Sequence, residues 1–423
     1  MKSINLASKI FLISKIFALI CISCVAFLGC SSKKFYTPDK VDGEIIFSQS
    51  LPTPIAQNNR YVATLKDGSL LTQSGFVPIN KQIKEIIPKN ARFLNESGGY
   101  YIFAKGCDEM LLVRASVIDE SAFDSGTCPI KEENSACTQE QIKLKTQGCA
   151  ISASLKGNLL AFVTTDNTSY IISLESNDLQ SSADIASVDL PKDKNADKND
   201  KNSEEKNSEE AKELHKSVFS QKGSAVLAVN QLIAAPLFLD SVVVFPTLDG
   251  RILVVSLQNY ETQRNIIVSS EKFFNNIIYL QGDDVRIFAA TPKKLISIVS
   301  GQQFSYQEDI KDITFANGYL YALTLEGKIA QLDHTLREVN TKKFEYASLE
   351  GMSVANNVLY TYEKNGSFII ALDLENFSHK VYQAQDTFGK MMSNKLHFYT
   401  KNIFYYNRYY FDFAKIADFI TSQ

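Results

Sequence analysis

The chain has no tryptophan in its 423 residues, and it has only four histidines and five methionines. The histidines, which are His215, His334, His379 and His397, form no pair with metal-binding spacing. The formal net charge is −3, so the chain lacks the basic excess typical of nucleic-acid-binding proteins. No G-x-S-x-G motif occurs, and the nearest match, Gly351-Met352-Ser353, has Ala355 where the second glycine belongs. These absences predict no catalytic residue, no metal site and no nucleic-acid partner.

Acidic residues are absent from residues 1–29, which carry three lysines and the apolar stretch 16–28. A basic start, a short apolar run and a small residue before the cut are the parts of a secretory signal peptide. Gly29 precedes Cys30, as in bacterial lipoproteins, whose cysteine carries acyl chains such as palmitate. The sequence therefore predicts a signal peptide over 1–29, lipidation of Cys30 and a lipidated tether over 30–42. An uncleaved transmembrane anchor is the alternative.

Cysteine is sparse beyond Cys30, and the remaining four lie in one window, at Cys107, Cys128, Cys137 and Cys149. An even number in an exported chain predicts two disulfides, with all three pairings open. The window has no C-x-x-C pair and no histidine, which argues against a metal site. We expect the cysteines to pin an insertion at about 118–148, as a partner surface or simply as a stabilised loop.

What the chain does contain is an internal repeat of two apolar runs joined by a tight turn of an acidic or amide residue and glycine. Asp-Gly and Asn-Gly turns suit the positive φ that glycine tolerates. The structural turn glycines are Gly68, Gly106, Gly250, Gly327 and Gly366. Where two copies follow each other, the glycines are about 39 residues apart or twice that, a period typical of propellers and solenoids.

Each unit is predicted to have one strand, a short polar turn, a hairpin of two strands and a last strand, and eight such polar turns can be counted. They are Asn58-Asn59, Gly98-Gly99, Lys156-Gly157-Asn158, Asp240-Ser241, Gly282-Asp283-Asp284, Asn317-Gly318, Asn356-Asn357 and Asn394-Lys395. Four short strands per unit predict an all-β, eight-bladed β-propeller of four-stranded antiparallel blades over residues 43–423. A seven-bladed ring and an open solenoid stay as alternatives.

The last unit has too little chain for an outer strand. A strand predicted at 43–48 belongs to no blade, so we expect it to pair with the last hairpin, over 395–409, and close the ring. Residues 412–422 predict a short terminal helix. The charged stretch 191–213 has almost no apolar residue, so it predicts a disordered loop, either passive or a partner-binding tether.

The repeat resembles that of quinoprotein-type (PQQ-like) propellers, which ends in Ala-Leu-Asp. Leu320–Asp333 and Leu359–Asp373 match it best and 243–257 matches in part, although Gln331 stands where alanine is expected. With the lipoprotein signal and the closing strand, the chain resembles the propeller lipoprotein subunit of the outer-membrane β-barrel assembly machinery. Ser31 after Cys30 is similar to the sorting signal of outer-membrane lipoproteins.

The resemblance implies a non-catalytic scaffold on the periplasmic side of the outer membrane, which binds an outer-membrane or periplasmic protein such as a barrel-assembly component. A quinone-dependent dehydrogenase would need a tryptophan platform and tryptophan docking motifs, and the chain has no tryptophan. We therefore expect no enzyme and no cofactor, and a degenerate dehydrogenase is a remote alternative. The closer alternative is a ligand-binding or adhesive surface lipoprotein, supported by the aromatic cluster 405–411. The sequence identifies no partner-binding residue.

Overall fold

Eight four-stranded blades form the computed structural model, which describes residues 34–47, 49–79, 85–115, 141–174, 217–386, 389–390, 395–418 and 420–421. The blades make an eight-bladed β-propeller, which confirms the predicted fold class. The first strands of neighbouring blades contact each other around the central channel, and the fourth strands lie at the rim. Within the described ranges, no helix has the length and hydropathy needed to span a membrane.

The strand bounds follow the chain blade by blade. Blades 1 and 2 comprise Ile55–Asn58, Ala63–Leu65, Leu70–Thr72 and Gly75–Val77, then Ala91–Ser97, Tyr100–Lys105, Glu109–Arg114 and Gln141–Lys145. Blades 3 and 4 comprise Ala150–Lys156, Leu159–Thr164, Thr168–Ser173 and Ser217–Lys222, then Leu237–Phe238, Val242–Pro246, Arg251–Ser256 and Thr262–Ile267. Blades 5 and 6 comprise Tyr279–Gly282, Arg286–Thr291, Lys294–Val299 and Gln302–Gln307, then Ile310–Ala316, Tyr319–Thr324, Lys328–Leu332 and Glu338–Lys343. Blades 7 and 8 comprise Leu349–Ala355, Val358–Glu363, Phe368–Asp373 and His379–Asp386, then His397–Tyr399, Ile403–Tyr406, Tyr409–Asp412 and, from the start of the chain, Gln49–Ser50.

Burial explains why the second and third strands read as nearly continuous apolar runs. Val242–Pro246 and Lys294–Val299 are buried almost throughout because a neighbouring blade covers each side. Fourth strands such as Thr262–Ile267 and Glu338–Lys343 are largely exposed, and charged residues protect their free edges.

The hydrophobic core of the described residues consists of eight clusters, one at each junction between neighbouring blades, including the junction of blade 8 with blade 1. A closed ring of junctions excludes both the seven-bladed ring and the open solenoid. Stacking of sheet on sheet therefore buries every blade on two sides.

The antiparallel strand order places the loops on two faces. Turns between second and third strands and the links from blade to blade lie on one face, which we call the connection face. The other turns lie on the opposite face, which we call the insertion face because the strands flanking residues 116–140 and 175–216 end there. The charged stretch 191–213 lies outside the described residues.

Ring closure differs in detail from the sequence-based expectation. Gln49–Ser50 pairs with the last hairpin, at Tyr409 and Tyr410, and completes blade 8. The expected closing strand, Gly43–Phe47, instead runs parallel to the fourth strand of blade 7, with Ile420–Thr421 on its other side. The reason is burial: alternate residues of this strand pack into the junction between blades 7 and 8.

The last unit also begins one strand later than the pattern predicts, since 395–400 was expected as its second strand. The segment 397–399 is the first strand of blade 8, so the polar turn expected at Asn394-Lys395 precedes that strand. Residues Phe413–Asp418 form a 3-10 helix in place of the longer terminal helix expected.

Candidate functional site

The turn between the first and second strands of blade 1 projects into the central channel. Asn59 holds this turn, since its Oδ1 accepts a hydrogen bond from the Tyr61 N–H at 2.8 Å. Arg60 extends from it to blade 6, where its guanidinium donates to Asp312 Oδ1 at 2.7 Å and to the Ile313 carbonyl at 2.5 Å. Only 17% of the Arg60 side chain and 19% of the Asp312 side chain are exposed. The ion pair therefore ties blade 1 to blade 6 inside the molecule.

Two tyrosines complete this bridge across the channel. The Arg60 guanidinium lies 4.9 Å from the ring centroid of Tyr279 in blade 5, a cation–π arrangement. Burial raises the pKa of the Tyr279 phenol, so the ring stays neutral. Tyr61 Oη accepts a hydrogen bond at 2.8 Å from the N–H of Ala235, in the link between blades 3 and 4. Contacts from one turn therefore reach three other parts of the ring.

Cavities flank the bridge on both sides. One of about 640 Å³ is lined by the first strands of blades 5, 6 and 7 and by Tyr399 and Lys401 of blade 8. A smaller one, of about 170 Å³, lies between blades 1, 2 and 3, against Gln231 and Ile233 of the link to blade 4.

A second charged group lies at the start of blade 7. Glu350 Oε1 accepts from Lys311 Nζ at 2.8 Å and from Lys364 Nζ at 2.7 Å. Burial by itself would raise the pKa of Glu350, but the two ammonium groups outweigh it and hold this pKa below its usual value. Tyr399 of blade 8 donates its hydroxyl proton to the Glu350 carbonyl at 2.5 Å. The group thus joins blades 6, 7 and 8.

The histidines and the motif serine have separate environments. His334 and His379 are exposed, whereas burial lowers the pKa of His397 in the first strand of blade 8. Ser353 is buried and donates to the Lys401 carbonyl at 2.7 Å, which occupies its hydroxyl in joining blades 7 and 8. No group of three histidine, cysteine or acidic side chains suited to a metal occurs among the described residues. His215 lies outside them.

One disulfide joins Cys107 to Cys149. Cys107 lies in a turn of blade 2 and Cys149 in the link to blade 3, so the bond crosses the connection face. Gln141–Lys145, expected to belong to the insertion, is instead the fourth strand of blade 2. Since the strands flanking residues 116–140 end on the insertion face, this bond does not pin that segment to the connection face. Cys30, Cys128 and Cys137 lie outside the described residues.

The five turn glycines all lie between second and third strands, in blades 1, 2, 4, 6 and 7. Gly68, Gly106, Gly250 and Gly327 adopt positive φ there, whereas Gly366 does not. Asn167 and Asn407 take positive φ in the matching turns of blades 3 and 8. Asparagine in these two turns explains why the glycine period skips those blades.

Sequence reasoning missed the bridging residues Arg60, Asp312 and Glu350. No local pattern relates them, because Arg60 meets Asp312 across 252 residues of chain and Glu350 is held by lysines of two different blades. The nearest signal is the polar turn Asn58-Asn59, which by itself predicts only a turn.

Solved structures share the fold. BamB from Moraxella catarrhalis aligns with a TM-score of 0.51 and 11% identity, covering 90% of this chain and 99% of that one. The computationally designed protein Ika8 aligns with a TM-score of 0.53 and 9% identity, covering 88% and 99%. Identities this low show the fold alone.

The curated relatives are much more similar in sequence, although no protein-family model matches the chain. The plasminogen-binding protein PgbB of Helicobacter pylori strain J99 is 36% identical over 445 residues, which cover 97% of this chain and 75% of the relative. PgbB of strain 26695 is 36% identical over 430 residues, covering 95% and 71%. The chain therefore belongs to the family of the plasminogen-binding protein PgbB.

Proposed function

We propose that this protein is a non-catalytic propeller that binds a protein partner, and that the partner is plasminogen. The observation that carries the proposal is the 36% identity to PgbB over 97% of this chain, because it includes the whole propeller. This corresponds to the surface-lipoprotein alternative drawn from the sequence.

The channel supports binding in preference to catalysis. The polar groups of Arg60, Glu350 and Ser353 are all engaged in hydrogen bonds or ion pairs that join one blade to another. Loop faces held by such a scaffold are typical binding surfaces.

The insertion face offers the docking residues. Val285 and Tyr319 are exposed there, in blades 5 and 6. In the turn that precedes Tyr319, Asn317 Nδ2 donates to Asn357 Oδ1 at 2.8 Å, which fixes the turns of blades 6 and 7 against each other. An exposed aromatic and an exposed aliphatic side chain on fixed turns suit a protein interface.

The proposal has a consequence for location. Plasminogen circulates outside the bacterial cell, so a Cys30-anchored propeller would need to be displayed on the outer surface. A barrel-assembly scaffold, our second candidate, would face the periplasm. Its support is the resemblance of the repeat, the lipoprotein signal and the closing strand, together with the fold shared with BamB.

Surface plasmon resonance with the purified full chain tests the first candidate. We expect saturable binding to immobilised plasminogen, weakened about tenfold in the double variant Val285→Asp, Tyr319→Asp, since tenfold corresponds to about 1.4 kcal/mol. The matched control is Val339→Asp, an exposed valine on the rim strand of blade 6, which should bind as the parent does.

Absence of saturable binding would overturn plasminogen as the partner. In that case recovery of barrel-assembly proteins with the chain from detergent-solubilised membranes would favour the second candidate. Proteolysis of the chain on intact cells would separate the two locations.

A further inference from the structure

Large apolar side chains are exposed unequally on the two faces. The connection face exposes Leu227, Ile267, Phe273, Phe274, Leu325 and Tyr346, with Leu227 at 72% and Leu325 at 61%. Of the large apolar residues that are described on the insertion face, Val285 and Tyr319 are exposed. Leu227, Phe273 and Phe274 lie on two adjacent links, and neighbouring exposed apolar side chains of this kind mark a protein or membrane interaction site.

Apart from Ile267, which ends a fourth strand, these exposed residues of the connection face lie on loops. Leu227 belongs to the link between blades 3 and 4, and Phe273 and Phe274 belong to the next link. The two links are held together, since the Phe274 N–H donates to the Ala228 carbonyl at 3.1 Å. Further round the ring, Leu325 and Tyr346 occupy a turn of blade 6 and the link to blade 7. Protruding tips over several blades fit a flat apolar target.

Lysine accompanies the aromatic side chains. Lys272 Nζ lies 5.6 Å from the ring centroid of Phe273, and Lys34 Nζ lies 5.2 Å from that of Tyr346. Aromatic rings with adjacent lysines are typical of the membrane–water interface, where the ring is buried and the ammonium group reaches the headgroups.

The described chain begins at this face. Lys34 donates to Tyr346 Oη at 3.2 Å, and Tyr36 packs edge-on against Phe344 and Phe368. Cys30 is four residues before Lys34. Four extended residues span at most about 14 Å, so an acylated Cys30 would hold this rim close to the bilayer.

We propose that the connection face lies against the lipid bilayer and inserts Phe273, Phe274, Leu227, Leu325 and Tyr346 into its interface. The position of Lys34 supports this orientation only if Cys30 is acylated, as the sequence predicts. The distribution of exposed apolar side chains supports it whether or not Cys30 is acylated. This orientation turns the insertion face away from the membrane, toward a partner.

The absence of tryptophan makes a direct test possible, since a single introduced tryptophan is the only one in the protein. The full chain carrying Phe273→Trp is reconstituted in vesicles of phosphatidylethanolamine and phosphatidylglycerol, with plain or brominated acyl chains. We expect brominated lipid to quench roughly half of the emission, because interfacial side chains lie about 5–10 Å into the headgroup and acyl boundary. The matched control, Tyr319→Trp on the insertion face, should keep its emission, and circular dichroism checks that both variants fold.

Two results would overturn the proposal. One is equal quenching in both variants or none in Phe273→Trp. The other is tryptophan fluorescence of Phe273→Trp that brominated lipid does not quench but that shifts when plasminogen is added. That result would assign this face to a protein partner. A plasminogen-induced shift in Tyr319→Trp supports the proposed function independently, so the failure of either proposal is seen separately. Quenching that persists at tenfold lower protein-to-lipid ratio excludes contact between copies.

Discussion

Arg60 shows how single residues join distant parts of the ring. Its guanidinium satisfies Asp312, the Ile313 carbonyl and the face of Tyr279, which come from two blades far from its own in the chain. Such a group is costly to break, because removing one partner leaves the other charge buried and unpaired.

We expect Arg60→Met to lower the free energy of unfolding by about 3 kcal/mol, because it leaves the Asp312 carboxylate without its counter-charge. Urea unfolding followed by circular dichroism measures this. The double variant Arg60→Met, Asp312→Leu should recover much of the loss, and Lys343→Ala, which breaks an exposed ion pair with Glu326, should cost little. An Arg60→Met chain as stable as the parent would contradict the bridge.

Glu350 predicts a pH dependence of stability. Its pKa is lower in the folded chain than its ordinary value of 4.5, so its contribution is present above pH 4.5 and disappears as the pH falls through the folded pKa. The difference in unfolding free energy between the parent and Glu350→Gln should be constant near neutral pH and shrink on acidification. A difference that grows on acidification would contradict the ion pairs with Lys311 and Lys364.

Among the elements, the loops and links carry the features that distinguish this propeller. The disulfide between Cys107 and Cys149 fastens a turn of blade 2 to the link that starts blade 3. The strands on either side of it are already hydrogen-bonded within their blades. The disulfide therefore stabilises the packing of blade 2 against blade 3.

Replacing both cysteines, Cys107→Ser and Cys149→Ser, should lower the stability by about 4 kcal/mol in the chain-entropy description for a sequence separation of 42. Thermal unfolding with and without reductant measures it. The double variant should respond less to reductant than the parent, and an equal response would mean that the reduced bond lies elsewhere.

At the scale of the whole molecule, the first described strands and the last blade share one junction. Phe47 packs against Phe404 and Phe411, and its neighbour Ile46 points to the exposed side of the same strand. Because the eight clusters form a closed ring, a destabilising substitution in one junction should lower the stability of the whole propeller.

We expect Phe47→Ala to lower the unfolding free energy by about 4 kcal/mol, since it deletes a buried aromatic ring. Circular dichroism and tyrosine fluorescence should report the same single transition. Ile46→Ala is the control and should cost well under half as much, because that side chain is 37% exposed. Two separate transitions would contradict a closed ring that unfolds as one unit.

Local patterns are enough to predict the strand-rich units, their period and the turn glycines, because these depend on local alternation and on the positive φ that glycine tolerates. In blade 6 the second strand, Tyr319–Thr324, ends just before the turn that holds Gly327, as the repeat predicts. Three contacts are visible only in the folded propeller: Gln49–Ser50 closes the ring, Cys107 pairs with Cys149 and Arg60 meets Asp312. Those contacts depend on how eight similar blades are arranged in space, and the repeat pattern does not record which turn or link of one blade lies beside which residue of another. The two-sided distribution of apolar loop residues has the same origin, since a residue's face is set by the strand order around it.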